Sequence, residues 1–300
     1  MSTSQTATRK LAGTVDLPLA RERSRRSIVF KSMPLTVKAS IVVLVVIFAA
    51  AALAPVVATH DPTRQDLLAR MADPSSSHWL GTDSLGRDVF SRTIYGARMS
   101  IAIALFGTVF GAIFGSLLGL LSGFIGGRID NTVMFLVDAQ QAMPFIIVCL
   151  VVIAVFGAGI PILLVLVSLA GWETYTRFAR ASSLVARESL YVLASRSIGN
   201  SSARTLLRHV LPNIASPLIV LATLNVSSLV LLESALSYLG VGVRPPTPSW
   251  GQMISDGRQF MNVAWWITAA PATGMILLTL SFTFVGDWLR DVLDPTSKRR

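Results

Sequence analysis

Apolar runs alternate with polar stretches along the chain, at residues 39–58, 100–125, 132–156, 160–179, 214–239 and 263–285. Runs of about 20 apolar residues are long enough to cross a bilayer core as helices. Six membrane-spanning helices are therefore predicted, the fourth being weakest because Trp172, Glu173 and Arg177 lie near its end. The first run exceeds the ~7–15 residues of a signal-peptide core, and Pro55 follows Ala54 in its "AALAPVVA" stretch, so it reads as an uncleaved span.

In the second run Gly107, Gly111, Gly115, Gly119 and Gly123 recur every fourth residue. At about 100° per residue each step drifts by roughly 40°, so the row winds around its helix. Close backbone approach is expected, first to one neighbouring helix and then to another.

The polar stretches carry their own patterns. In "HWLGTDSLGRDVFSRTIYGARMS" the charges Asp83, Arg87, Asp88, Arg92 and Arg98 alternate in sign, as a partly solvated, salt-bridged helix would. In "VGVRPPTPSWGQMISDGRQFMN" three prolines, Pro245, Pro246 and Pro248, favour an extended start. Trp250, Trp265 and Trp266 stand where interfacial aromatic anchors are expected. Between the fourth and fifth runs lies "YVLASRSIGNSSARTLLRHVLPN", residues 191–213. Leu190, Leu193, Ala194, Ser197 and Ile198 share one face of a short helix, and Gly199 with Asn200 supplies its stop. A second helical stretch runs to Leu211 and Pro212, with His209 ordering the turn before the proline. Such a short helix needs something to dock on. A partner protein and a lipid surface, with the arginines on headgroups, both satisfy that need.

Composition fixes the solvent. The 300 residues are 52% hydrophobic and 14% charged, with a mean hydropathy of +0.62, more apolar surface than a soluble domain of this length hides. The net charge of +10 does not point to nucleic acid, because the aromatics accompany apolar runs and not basic clusters. With six spans, 19 Lys and Arg fall on the side of the termini and 7 on the other. The positive-inside rule then places both termini and residues 180–212 in the cytoplasm.

Candidate chemistry is sparse. The single Cys149 lies in an apolar run, and the three histidines lack metal-binding spacing, with His60 and His78 outside and His209 inside, so no metal site is expected. Of the acids near membrane depth, Asp138 and Glu233 are candidates for lining a pathway, Asp138 otherwise pairing with a neighbouring helix. Glu173 is expected to pair with Arg177 or Arg180. An intramembrane protease is poorly served: only Asp138 is a deep aspartate, and no deep His or Lys could activate a serine. The four lysines (Lys10, Lys31, Lys38 and Lys298) never follow a glycine, so the chain has no ATP-binding P-loop.

"ASRSIGNSSARTLLRHVLPN" resembles the EAA loop of binding-protein-dependent ABC importer permeases, keeping Ala194, Gly199, His209, Leu211 and Pro212. It departs at Leu193, where the family usually has Glu, and at Ser195, where it usually has Ala. "HWLGTDSLGRDVFSR", "GARMSI", "GGRID", "LSYLGVGVRPPTPSWGQMISDGR" and "GDWLRDVLDP" are similar to the C-type permease subunit of the dipeptide/oligopeptide/nickel branch, over residues 35 to 295.

The resemblance implies an all-α integral membrane protein with the six-helix type I importer permease fold and a cytoplasmic coupling helix. It implies a basic tail (1–34), a first helix with an external segment (35–98), a five-helix core including the coupling loop 180–213 (99–295), and a second basic tail (296–300). Implied partners are a related B-type permease in a heterodimer, two ATPase subunits that bind ATP and Mg, an extracytoplasmic solute-binding protein, and the lipids of a bacterial inner membrane. Coupling to the ATPase falls to Leu190, Leu193, Ala194, Ser197, Ile198, Gly199, His209, Leu211 and Pro212. The departure at Leu193 bears on one polar contact there and leaves the docking implied. Arg87, Asp88 and Trp250 are expected at an external docking face. The rival reading is a proton-coupled secondary transporter using Asp138 or Glu233.

Overall fold

The longest helix of the molecule starts where the Asp88 carboxylate accepts a hydrogen bond from the Ser91 N–H at 2.8 Å, an N-cap. It then runs unbroken for 37 residues, Val89–Ile125. It is the axis of a computed structural model that describes residues 33–293. The basic tails predicted at 1–34 and 296–300 lie almost wholly outside the described residues, as do the side chains of Leu193, Arg196, Ser202 and Ala203. Among the described residues there is no strand, only one isolated bridge between Thr82 and Asp88.

The principal helices are α1 (Leu35–Ala52), α2 (Val89–Ile125), α3 (Gly127–Gln141), α4 (Phe145–Phe156), α5 (Ile160–Ser168), α6 (Trp172–Arg187), α7 (Leu190–Ser197), α8 (Leu211–Tyr238), α9 (Trp250–Gly257) and α10 (Trp266–Leu293). Five segments are long and apolar enough to cross a membrane: α1, α2, α5 with α6, α8 with the turn before it, and α10. The third predicted span, 132–156, is instead two helices bent by 88° at Ala142–Pro144. The break follows from Pro144, which drives Met143 out of helical geometry, at the end of an α3 too polar to be a span alone.

The glycine row also departs from expectation. Its five members all face one partner, the α5–α6 pair: Gly107 meets Val167, Gly111 meets Ser168, Gly115 meets Trp172, Gly119 meets Thr176 and Gly123 meets Arg180. A row of i+4 positions is inclined to its helix axis, and a partner crossing along that incline stays in the groove throughout. Contact numbers rise together on the two segments, so α2 and α5–α6 run parallel. Two parallel passes need a return between them. Bent as it is, α3–α4 carries the chain back from one end of the molecule to the other, making the sixth pass.

Polar segments close one end. Residues 59–87, α9 and the start of α10 form a cap around Val89, Met253, Ala264, Trp266 and Ile267, with the Trp266 indole N–H donating to the Thr82 carbonyl at 3.1 Å. The start of α1, the end of α10 and α7 lie at the opposite end. The main core between them draws on α1, α2, α4, α5, α8 and α10.

Candidate functional site

Four places hold the candidate residues. At the end opposite the cap, α7 forms one arm of a hook, and Ser202–Thr205 followed by a wide π-turn, Leu206–Val210, forms the other. The wide turn falls just where Pro212 has no N–H to donate to the preceding turn. Gly199 joins the arms with φ +80°, a left-handed conformation, and a Cβ there would meet nothing within 4 Å. The arms are tied by Ser195 and Thr205, whose buried hydroxyls lie 3.2 Å apart, and by Asn200, which donates to the Ser195 hydroxyl at 3.1 Å.

The hook's inner side is apolar. Val192, Leu206, Val210 and Ile214 pack on Leu120 and Phe124 of α2 and on Ala179 and Ala186 of α6. Its outer side carries Leu190 (84% exposed), Ala194 and Ile198 (79% exposed), which share the face expected from their spacing, with Ser197 exposed beside them. Leu193 belongs to the same helix, but its side chain is outside the described ones. His209 and Leu211 are half-buried at the hook's root and Pro212 is exposed.

Along α3 and α6 the acids are paired, Asp138 with a neighbouring helix as expected and Glu173 with neither of the arginines expected for it. Arg180 holds Asp130 with two hydrogen bonds, at 2.5 and 2.7 Å, and the Ser122 hydroxyl joins the same carboxylate. Arg177 pairs with Asp138 at 2.5 Å, leaving the Asp138 side chain 65% exposed. Glu173 pairs with neither arginine: its carboxylate accepts from the Gln140 amide at 3.2 Å, and Gln140 accepts from the Trp172 indole at 2.6 Å. The arginines are taken by α3 because it lies across α6, a proximity no spacing within α6 reveals.

Glu233, expected on a pathway, is fully buried. Its carboxylate accepts from the Ser237 hydroxyl at 2.7 Å and from Ser234 at 3.4 Å, with Ser100 and Ser249 completing the enclosure. It joins α8 to α2 and to the start of α9, and no open surface reaches it.

At the capped end, the residues expected to face a docking protein are interior. Arg87, Asp88 and Trp250 are 6%, 2% and 2% exposed. Arg87 binds Asp83 at 2.7 Å, Arg92 lies 3.4 Å from the same carboxylate, and Asp256 approaches Arg87 at 3.9 Å. The first four alternating charges, Asp83, Arg87, Asp88 and Arg92, are thus folded in, salt-bridged as expected but not solvated, and Arg98 is exposed. Burial pushes the Asp256 carboxyl above its usual range, against the pull of Arg92 and Arg87. Burial acts likewise on Asp88, but hydrogen bonds from the Ser91 N–H, His78 and the Ser91 hydroxyl outweigh it and hold that carboxyl low. The Trp250 indole donates to the Thr93 carbonyl at 2.9 Å, and its ring sits between Gly96 and Gly274, bolting α9 to α2 and α10. Of the three expected interfacial tryptophans only Trp265 is exposed. His60 and His78, far apart in spacing, are brought together with ring centroids 4.6 Å apart.

The arrangement of passes is that of an importer permease. It matches the methionine ABC transporter MetNI in an inward-facing conformation over 68% of this chain and 98% of that one, with a TM-score of 0.55 and 21% identity, a likeness of fold. Residues 115–299 match the family described as binding-protein-dependent transport system inner membrane component. The dipeptide transport system permease protein DppC of Escherichia coli K12 is 42% identical over 265 residues, 86% of this chain and 88% of that protein. The probable D,D-dipeptide transport system permease protein DdpC of the same strain is 36% identical over 88% of this chain and 89% of its own length. The glutathione transport system permease protein GsiD of Shigella flexneri is 41% identical over 75% of this chain and 74% of its own length. The chain belongs to the binding-protein-dependent transport system inner membrane component family, as a multi-pass permease subunit of an ABC importer.

Proposed function

We propose that this chain is the C-type half of a heterodimeric pore that imports short peptides, with the α7 hook docked on one of two ATPase subunits. The observation that carries the reading is the exposed apolar face of α7, Leu190, Ala194 and Ile198, on a helix too short to stand alone and ended by a left-handed Gly199. An apolar helix face presented into a groove is a standard way for one protein to seat another. ATP and Mg belong to the ATPases, and an extracytoplasmic binding protein delivers the cargo. Short peptides are favoured because the relatives' names share that chemistry, dipeptide, D,D-dipeptide and glutathione. The excess of Lys and Arg on the hook side supports reading that side, with both termini, as cytoplasmic.

In mechanism, closure of the ATPases moves the hook, which rocks the passes between inward-open and outward-open arrangements. Asp138, exposed beside Arg177, remains a candidate for the pathway. The proton-coupled rival draws no support from the relatives, and Glu233 is fully buried.

The complex reconstituted in vesicles should take up labelled dipeptide with ATP and loaded binding protein, and not with a proton gradient alone. Gly199→Val, straining the left-handed position by about 1 kcal/mol or more, should lower uptake per ATP hydrolysed while the complex still assembles. Gradient-driven uptake without ATP would reverse the conclusion.

A further inference from the structure

We propose that His60, His78 and Asp88 form a zinc-type divalent metal site at the capped end, which clamps the exit of α1 to the start of α2. The three residues each offer one donor atom, and these atoms lie within 4.8 Å of one another, the one such group among the described residues. His78 Nδ1 lies 2.9 Å from Asp88 Oδ1, and His60 Nδ1 lies 3.9 Å from the same oxygen while hydrogen-bonded to the Thr59 hydroxyl at 3.0 Å, a contact it would exchange for the metal. Tetrahedral zinc, with bonds of about 2.0–2.2 Å to nitrogen and oxygen, puts its donor atoms roughly 3.3 Å apart. The two distances to Asp88 straddle that value, and a metal would draw the two imidazole nitrogens, within 4.8 Å of each other, together.

The division of labour within Asp88 supports the assignment. Oδ2 is committed to the Ser91 N–H at 2.8 Å, and it also takes the Thr59 hydroxyl at 3.3 Å. Oδ1 faces only the two rings in the same set of contacts. Backbone bonds fix His60, whose N–H donates to the Ser91 hydroxyl at 3.0 Å. A cavity of about 240 Å³ opens onto the group, with room for a fourth, water ligand. Asp61 and Asp66 line the same cavity opposite Arg64, so the surroundings offset the +1 charge left by two neutral imidazoles and one carboxylate on a divalent ion. Two imidazoles and a carboxylate with an open position suit zinc among the borderline metals. The ligands come from the loop after α1, the loop before α2 and the α2 cap, three pieces of chain that otherwise meet through a few hydrogen bonds.

The test uses the whole importer, purified through a tag without histidine and titrated with zinc alone. The wild-type complex should bind one more zinc ion per copy of this chain than a complex carrying His60→Ala with His78→Gln. His60→Ala by itself, which leaves the His78–Asp88 bond in place, should weaken that site at least about 10-fold, since even second-shell losses cost 10–100-fold. X-ray absorption on the wild type should show two imidazole nitrogens on the metal. Equal zinc binding by the wild-type and doubly substituted complexes, with matching elution profiles, would overturn the site and leave a hydrogen-bonded cluster. So would an absorption spectrum without imidazole.

Discussion

Among single residues, the glycines of α2 carry the most specific expectations, because a methyl group added at each meets a different obstacle. At Gly119 a Cβ collides with the Thr176 carbonyl oxygen, a backbone atom that cannot swing away. At Gly111 the nearest atom, the Ser168 carbonyl oxygen, is 3.6 Å off, an ordinary contact. Gly119→Ala should therefore cost about 1–3 kcal/mol, the range for overpacking, and Gly111→Ala close to nothing. Thermal unfolding of the two purified variants measures the contrast; equal losses would mean the row does not pack as described. The glycine spacing was legible in the sequence, and so was the need for close approach. Its target was not, since drift around a helix says nothing about the angle at which a neighbour crosses. Glu233 was misread for a related reason. An isolated acid in an apolar run looks costly, and the serines that satisfy it include Ser249, beyond the end of its helix, and Ser100, far away in the chain.

At the scale of elements, α7 was the most legible piece. Its exposed face, its length and its stop at Gly199 are all local properties, set by residues three, four and seven apart and by one left-handed position. The rival, a helix lying on lipid headgroups, makes Arg204 and Arg208 the important contacts instead. Cysteine placed at Ala194, in a chain whose own Cys149 is buried, separates the two. Crosslinking of Ala194→Cys to an ATPase subunit, in an amount that changes with nucleotide, is the expected outcome. Crosslinks to lipid alone, with activity sensitive to loss of Arg204 and Arg208 and indifferent to Ile198→Ser, would favour the rival. The third span shows the opposite case. Its apolar residues count correctly toward a crossing, yet Pro144 and the polar end of α3 bend it by 88°, which an average over a window conceals.

For the whole molecule, the number of passes decides which side each end faces. The parallel run of α2 and α5–α6 requires α3–α4 to return the chain, so six passes bring the start of α1, the end of α10 and the hook to one end. Our proposal takes that end as the cytoplasmic one, on the strength of the charge excess. Cysteine at Ser76, in the cap, should react with an impermeant thiol reagent added outside intact cells, and cysteine at Arg204 only after the membrane is opened. Reversed labelling would invert the orientation; labelling of both from outside would break the six-pass arrangement. The passes themselves were readable from hydropathy because it acts along the whole chain. The burial of Arg87, Asp88 and Trp250 was not, because the cap that encloses them is assembled from 59–87, α9 and α10, segments distant in sequence.

The unbroken length of α2 has a mechanical meaning. Thirty-seven residues at about 1.5 Å each make a rod of roughly 55 Å. One end is embedded in the cluster beneath the hook, through Leu120 and Phe124, and the other begins at Asp88 and Val89 within the cap. It contains no proline and no break, and its glycines lock it flank to flank with a second segment travelling the same way. Such a piece is built like a push-rod, able to carry a displacement from its lower end to its upper one with no break in the helix along the way.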